Sequence, residues 1–238
     1  ARWDPESVEL GSLARSASYS SFIGSMQRSD SRPFGASPSE AVAMNPHQLI
    51  VLEQSYSVMH QVACAHTSLM ASEVGMLVGL AGASPSKHSC PCCGASAPSV
   101  YDVTSHTLSV ASGRVSHLLG LTSPCLAVDT ACSAAPTATH SGCCALRLQE
   151  CGVTAACAAG LILDQQGNAA TSAAGMLSPL GQCHTFDRRA DGYCRAEGAV
   201  TAALLAIPEA STEAPGCCCE VMLGSAVQQD GPSASLTA

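Results

Sequence analysis

Apolar and polar positions change rhythm several times along the chain, and each rhythm predicts an element. In PHQLIVLEQSYSVMHQV the apolar residues Leu49, Ile50, Leu52, Val58 and Met59 fall at helical spacing. They predict an amphipathic helix from about residue 46 to 63, and Pro46 suits its first turn. The preceding FGASPSEAVAMN opens with turn residues. VGMLVGLAG (74–82) is an unbroken apolar run ending in glycines, as expected of a buried strand. Residues 104–118 read as a helix ending near Gly120. CLAVDTACSA (125–134) reads as a strand entering a turn, followed by a helix to about Glu150. VTAACAAGLIL (153–163), GAVTAALLAI (198–207) and EVMLGSAVQQ (220–229) are further strand candidates. Residues 164–195 read as loop, as do residues 83–99, which are rich in Ser, Pro, Gly and Cys. Residues 1–20 are Ser-rich and read as a loosely ordered segment. There is no internal repeat. Strands alternating with helices predict an α/β fold with a mainly parallel central sheet and flanking helices.

Composition narrows the class. Of 238 residues, 47% are hydrophobic and 12% charged, which supports a buried core and argues against disorder. Aromatics are only 3%, so Ala, Val, Leu and Cys must fill most of that core. The formal net charge is -8 and no run of Lys or Arg exists, which argues against nucleic-acid binding. Fifteen cysteines are too many to ignore, but the number is odd and Cys143, Cys144 and Cys157 sit among apolar neighbours. They read as reduced, mostly structural thiols, as in a cytoplasmic or plastid compartment. The start ARWDPESVEL lacks the apolar core of a signal peptide. The stretches 74–82 and 153–163 are too short to span a bilayer.

The candidate chemistry centres on Cys132 in VDTACSA. A nucleophile at a tight strand-to-helix turn projects out of the backbone. The helix that follows supplies a positive dipole end and free N–H groups, which favour the reactive thiolate. A backbone N–H at such a turn can also hold a developing oxyanion. The competing reading is one more buried structural thiol. HSCPCC offers His88, Cys90, Cys92 and Cys93 as a zinc knuckle, but no second knuckle follows at a usual distance, so a loop with free thiols is preferred and no metal is assigned. Cys217, Cys218 and Cys219 are consecutive and read as loop or strand-edge residues. Asp187, Asp191 and Glu197 could hold a cation; an Asp191–Gly192 turn balanced by Arg188, Arg189 and Arg195 is the plainer reading. His140 lies eight residues after Cys132, about 12 Å along a helix, too far to act as its base. It reads as a packing residue.

Five segments, in order, resemble the β-ketoacyl synthase family, above all the ketosynthases of modular polyketide synthases. VDTACSA resembles the D-T-A-C-S-S around the family's acyl-accepting cysteine. FGASPSEAVAMNPHQLIVLE, VASGRVSHLLGLTSP, GMLSPLGQCHTFDRRADGYCRAEGAV and GSAVQQDGPSASLTA resemble the flanking segments. The resemblance runs from about residue 21 to 238 and implies the N-terminal lobe of a thiolase-like fold. It implies that Cys132 accepts an acyl group from the phosphopantetheine of an acyl carrier protein, with its own N–H in the oxyanion hole. A malonyl-type thioester then loses CO₂ and its carbanion attacks the acyl-enzyme, a decarboxylative Claisen condensation of polyketide or fatty-acid biosynthesis. No cofactor is bound directly. Phe186 is a candidate lining residue of the acyl channel, with a core residue as the alternative. The acyl carrier protein and a second copy of the chain, as a homodimer, are the implied partners.

The family also uses two histidines, in H-G-T-G-T-like and N-x-G-H-x-E-like motifs. None of the eight histidines here (47, 60, 66, 88, 106, 117, 140 and 184) has either context. The chain is therefore read as an incomplete N-terminal part, inactive alone, with the C-terminal lobe outside it. Asn45 stands where the family has Asp, Leu49 where it has Arg, and Pro136 falls in the expected catalytic helix. That proline is tolerable within the first turn and disruptive beyond it, where it costs about 3 kcal/mol or more. The rival reading is a catalytically inactive ketosynthase-like partner that offers a dimer or carrier-protein docking surface. A coenzyme A-dependent thiolase is disfavoured by the D-T-A-C-S and D-G-Y-x-R-x-E-G segments.

Overall fold

The computed structural model describes residues 19–24, 30–62, 71–81, 100–105, 107–207 and 220–232. Of the segment 1–20, expected to be loosely ordered, residues 1–18 lie outside the described residues, as do the whole 83–99 loop with its candidate zinc residues His88, Cys90, Cys92 and Cys93, and Cys217 to Cys219; Ser20 lies in a strand. Two compact units are present. One comprises the described parts of Ala1–Ile50, Ala83–Thr107 and Ala159–Val200, the other those of Val51–Gly82, Leu108–Ala158 and Thr201–Ala238.

In chain order the elements are β1 (Ser20–Ser21), a 3-10 turn (Arg32–Phe34), α1 (Pro38–Ala43), α2 (Pro46–Gln61) and β2 (Val74–Leu80). There follow α3 (Asp102–Ser105), α4 (Leu108–Leu119), β3 (Cys125–Val128), a 3-10 turn (Ala131–Ser133) and α5 (Ala134–Arg147). The series closes with β4 (Val153–Gly160), α6 (Gln165–Ala173), β5 (Arg195–Ala196) and β6 (Gly198–Leu205).

A four-stranded sheet of order β3-β2-β4-β6 forms the core of the second unit. β2 and β3 are parallel, with Met76 opposite Cys125 and Gly79 opposite Val128. Every residue of β2 is buried, which explains why its sequence shows no alternation: a central strand covered on both faces must be apolar throughout. Both α4 and α5 pack on β2 and β3. The buried residues of α5 are small, with Ala134, Ala138, Gly142 and Ala145 at spacings of three and four. That stripe brings the helix backbone close to the sheet. A Cβ at Gly142 would lie 2.9 Å from Thr154 Oγ1 of β4, and one on Gly79 of β2 would strike the Ala134 carbonyl at the start of α5. Glycine here is a requirement of approach distance.

In the first unit β1 pairs in parallel with β5, placing Ser20 opposite Arg195. Helix α1 starts with a side-chain N-cap that the turn-like FGASPSEA conceals. Ser37 Oγ accepts the Glu40 N–H at 3.2 Å, and Pro38 occupies the first helical position.

Three expectations are corrected. Residues 104–118 are two helices, α3 and α4, because the hydroxyls of Thr104, Ser105 and Thr107 bond back to the carbonyls of Tyr101 and Val103 and compete with a continuous helix. Within the expected loop 164–195, residues 165–173 form α6. Its largely polar sequence carries no hydrophobic period, but Asp164 Oδ1 accepts the Gly167 N–H at 2.9 Å and caps it. Residues 220–229 are not a strand. Leu223 is 94% exposed and Val221 and Val227 face solvent. This segment is held by side chains on α5 instead, through His140 Nδ1 to Ser225 Oγ at 2.9 Å and Cys143 Sγ to Met222 Sδ at 3.5 Å. An apolar run becomes a strand only where a neighbour offers a ladder.

Gly79→Ala is expected to lower stability by about 1–3 kcal/mol, because the added methyl overpacks the β2–α5 contact. Gly152→Ala, where a Cβ meets nothing within 4 Å, is the control and should shift the urea midpoint little. Equal midpoints for the two variants would contradict the close-approach account.

Candidate active site

The turn between β3 and α5 is built by its own polar atoms. Asp129 Oδ1 accepts the Ala131 N–H at 2.9 Å. Ser133 donates twice to the Thr130 carbonyl, from its N–H at 3.1 Å and its hydroxyl at 2.7 Å. Ala134 N–H closes on the Ala131 carbonyl. Thr130 Oγ1 donates to Thr137 Oγ1 at 3.2 Å, tying the turn to the first turn of the helix. Ala131 adopts φ 51°, a left-handed conformation that costs an L-residue roughly 1–3 kcal/mol and persists where surrounding contacts enforce it. Cys132 follows directly and is exposed. An exposed thiol at a strand-to-helix turn is a position from which a nucleophile can meet an acyl thioester.

Pro136 is the third residue of α5. The first N–H groups of a helix lack intrahelical partners in any case, so the proline forfeits no bond. The disruptive alternative does not arise. A cavity of about 530 Å³ begins at Ser133, adjacent to Cys132, and runs past Pro136, Thr137 and His140 to Met222 and Ser225. His140 therefore does more than pack. Half-buried on the cavity wall, it bonds Ser225 through Nδ1 and lies 3.5 Å from Cys144 Sγ through Nε2.

The first unit holds a separate polar cluster. His47 is buried at the start of α2. Its Nδ1 lies 2.8 Å from Asn45 Oδ1, and its Nε2 accepts the Leu161 N–H at 3.3 Å. Both contacts suit one neutral tautomer, with the proton on Nδ1. Burial pushes the His47 pKa down from 6.5 to about 4, against an upward pull from Glu197. Glu197 accepts the Ile23 N–H and the Ile162 N–H, each at 2.8 Å. Arg195 donates to Asn168 Oδ1 at 2.7 Å, and Asn168 donates to Ser20 Oγ at 3.0 Å. The sequence places Asn45, His47 and Glu197 within family-like segments but gives no sign that they serve as backbone and side-chain clamps. Three main-chain N–H groups remote in sequence converge on them, and no sequence period encodes that.

Asp187 and Glu197, weighed with Asp191 as a cation site, are engaged separately. Asp187 grips Arg189 through Oδ1 to Nε at 3.1 Å and Oδ2 to Nη2 at 2.7 Å, and the guanidinium lowers its pKa. Glu197 serves the backbone. Gly192 is required by approach as well as conformation: at φ 138°, its Cβ would strike Ser178 N. Phe186, the channel candidate, is fully exposed at φ 59°, so the core alternative does not hold.

Comparison with known proteins shows the family and the fold. Residues 1–210 match the family model "Beta-ketoacyl synthase, N-terminal domain", and the chain belongs to that family. It is 33% identical over 249 residues to a phenolphthiocerol/phthiocerol polyketide synthase of Mycobacterium tuberculosis, covering 100% of this chain and 16% of that protein. It is 33% identical over 239 residues to "Mycocerosic acid synthase-like polyketide synthase" of Mycolicibacterium smegmatis, covering 99% of this chain and 11% of that protein. Among solved structures, the ketosynthase from module 6 of the bacillaene synthase of Bacillus subtilis 168 is similar with a TM-score of 0.73 and 26% identity. That likeness covers 86% of this chain and 34% of the ketosynthase. The fold is thus thiolase-like α/β, in the N-terminal part of a ketosynthase, and this chain spans a minor share of each protein it matches.

Because neutral His47 is favoured in the folded state, its contribution is fully present above pH 6.5 and is lost as pH falls from 6.5 towards 4. The stability advantage of the native chain over His47→Gln, from urea unfolding, should shrink by about 3 kcal/mol across that window. A gap independent of pH would show that His47 is not buried neutral.

Proposed function

We propose that this chain is the acyl-accepting part of a ketosynthase in a polyketide synthase, with Cys132 as nucleophile. The observation that carries the proposal is an exposed thiol at a strand-to-helix turn that Asp129, Thr130 and Ser133 hold in place. The Cys132 sulfur attacks the carbonyl carbon of an acyl thioester on the phosphopantetheine of an acyl carrier protein. The bond from that carbon to the carrier sulfur breaks, the carrier thiol leaves with a proton, and the acyl group rests on Cys132. The Cys132 N–H holds the oxyanion of each tetrahedral intermediate. A malonyl-type thioester then loses CO₂, its carbanion attacks the acyl carbonyl, a carbon–carbon bond forms and the Cys132 sulfur is released. The two histidines that support decarboxylation in the family would come from outside residues 1–238.

The carrier protein and a second copy of the chain are the partners of this reading. Phe186, exposed on its turn, is proposed to meet the acyl chain when the full domain is assembled. A reducing compartment such as the cytoplasm is part of this reading, in keeping with the odd cysteine count and with Cys143, Cys144 and Cys157 among apolar neighbours.

The test is labelling of the full-length parent protein by a thiol-directed acyl mimic of the cerulenin type. Cys132→Ala should abolish labelling and lower condensation by about 10³-fold or more. Labelling that persists in the variant, or fails in the native parent, would overturn the assignment and favour a non-catalytic partner.

A further inference from the structure

Two cysteines of the first unit meet without forming a bond. Cys194 donates its backbone N–H to Cys183 Sγ at 3.2 Å, and the same sulfur lies 4.0 Å from the Cys194 carbonyl oxygen. Since an N–Cα bond adds about 1.5 Å, Cys183 Sγ is within about 4.7 Å of the Cys194 Cα. The Cys194 sulfur currently points at the Arg195 carbonyl, at 3.7 Å. The motion that a bridge requires of it is a χ1 rotation between staggered positions. The two thiols differ in access, Cys183 being exposed and Cys194 half-buried. The other described cysteines are placed differently. Cys143 and Cys144 are neighbours on α5 whose sulfurs contact Met222 and His140. Cys151 and Cys157 are buried, and burial raises both their pKa values.

We propose that Cys183 and Cys194 form a reversible disulfide when the protein meets a low-molecular-weight disulfide oxidant. The Cys183 thiolate attacks one sulfur of the oxidant, a mixed disulfide forms, and the first small thiol leaves. The Cys194 thiolate then attacks the Cys183 sulfur, the mixed bond breaks, the second small thiol leaves, and the two protein thiols are oxidised by two electrons. The bridge closes the segment 183–194, which holds the positive-φ Phe186, the Asp187–Arg189 clamp and Gly192. Oxidation thereby fixes one turn of the first unit. The inference is independent of the condensation reading.

The experiment treats the whole chain with oxidised glutathione, blocks remaining thiols with iodoacetamide, and maps tryptic peptides by mass spectrometry before and after reduction. The native chain should yield residues 190–195 linked to the peptide carrying Cys183, with fragmentation placing the link on Cys183 and not on Cys151 or Cys157. Cys194→Ser should instead retain glutathione on Cys183, at least about tenfold more than the native chain, because the resolving thiol is gone. Glutathione retained equally on Cys183 in both proteins, a link to a different cysteine, or no oxidation at Cys183 would each overturn the proposal. Because the link is read in the native chain, the test survives a variant that folds poorly.

Discussion

The absence of a side chain at Gly79 sets where helix α5 can lie. Because its Cβ position coincides with the Ala134 carbonyl, the first turn of the helix rests directly on strand β2. The small stripe of Ala134, Ala138, Gly142 and Ala145 extends that closeness along the helix. A helix seated so low, starting from a strand that ends at Val128, leaves five residues for the reversal. Such a short connection needs one residue in an unusual conformation, and Ala131 takes it. Cys132 is then lifted out of the backbone path. The exposure of Cys132 is thus a consequence of core packing one layer beneath it.

The same logic explains why the turn is rich in Asp, Thr and Ser. Asp129, Thr130 and Ser133 supply the bonds that hold Ala131 in place. Each takes or gives a bond that a regular helix start would have left to water. Pro136 fits this economy, since it removes an N–H from a position where none is used.

Much of this was legible in the sequence. The buried strands announced themselves as unbroken apolar runs, and α2 by its helical period and Pro46. The cysteine turn was legible because VDTACSA resembles the segment around the family's acyl-accepting cysteine; position alone left a structural thiol open. Legibility failed where hydrophobicity was not the signal. Helix α6 is specified by the cap on Asp164 and buries Asn168 and Ser172 rather than large apolar groups. The break between α3 and α4 is specified by hydroxyls that bond to their own chain. Residues 220–229 misled in the opposite direction: their apolar side chains line or overhang a cavity instead of a sheet, and only three-dimensional neighbours distinguish the two.

The clamps on Asn45, His47 and Glu197 were the least legible, and their physics shows why. A carboxylate or imidazole that accepts main-chain N–H groups acts at positions such as Ile23, Leu161 and Ile162, whose side chains are irrelevant to the contact. The sequence at those positions is therefore unconstrained, and no motif spans the pair. Asn45 illustrates the point from the other side. Where the family has Asp, an amide oxygen still accepts the His47 N–H, so the substitution removes a charge without removing the bond. An ionised carboxylate beside His47 would pull its pKa upwards, as Glu197 already does, and work against burial. With Asn at that position the imidazole stays neutral, and neutrality is what its acceptor role towards Leu161 demands.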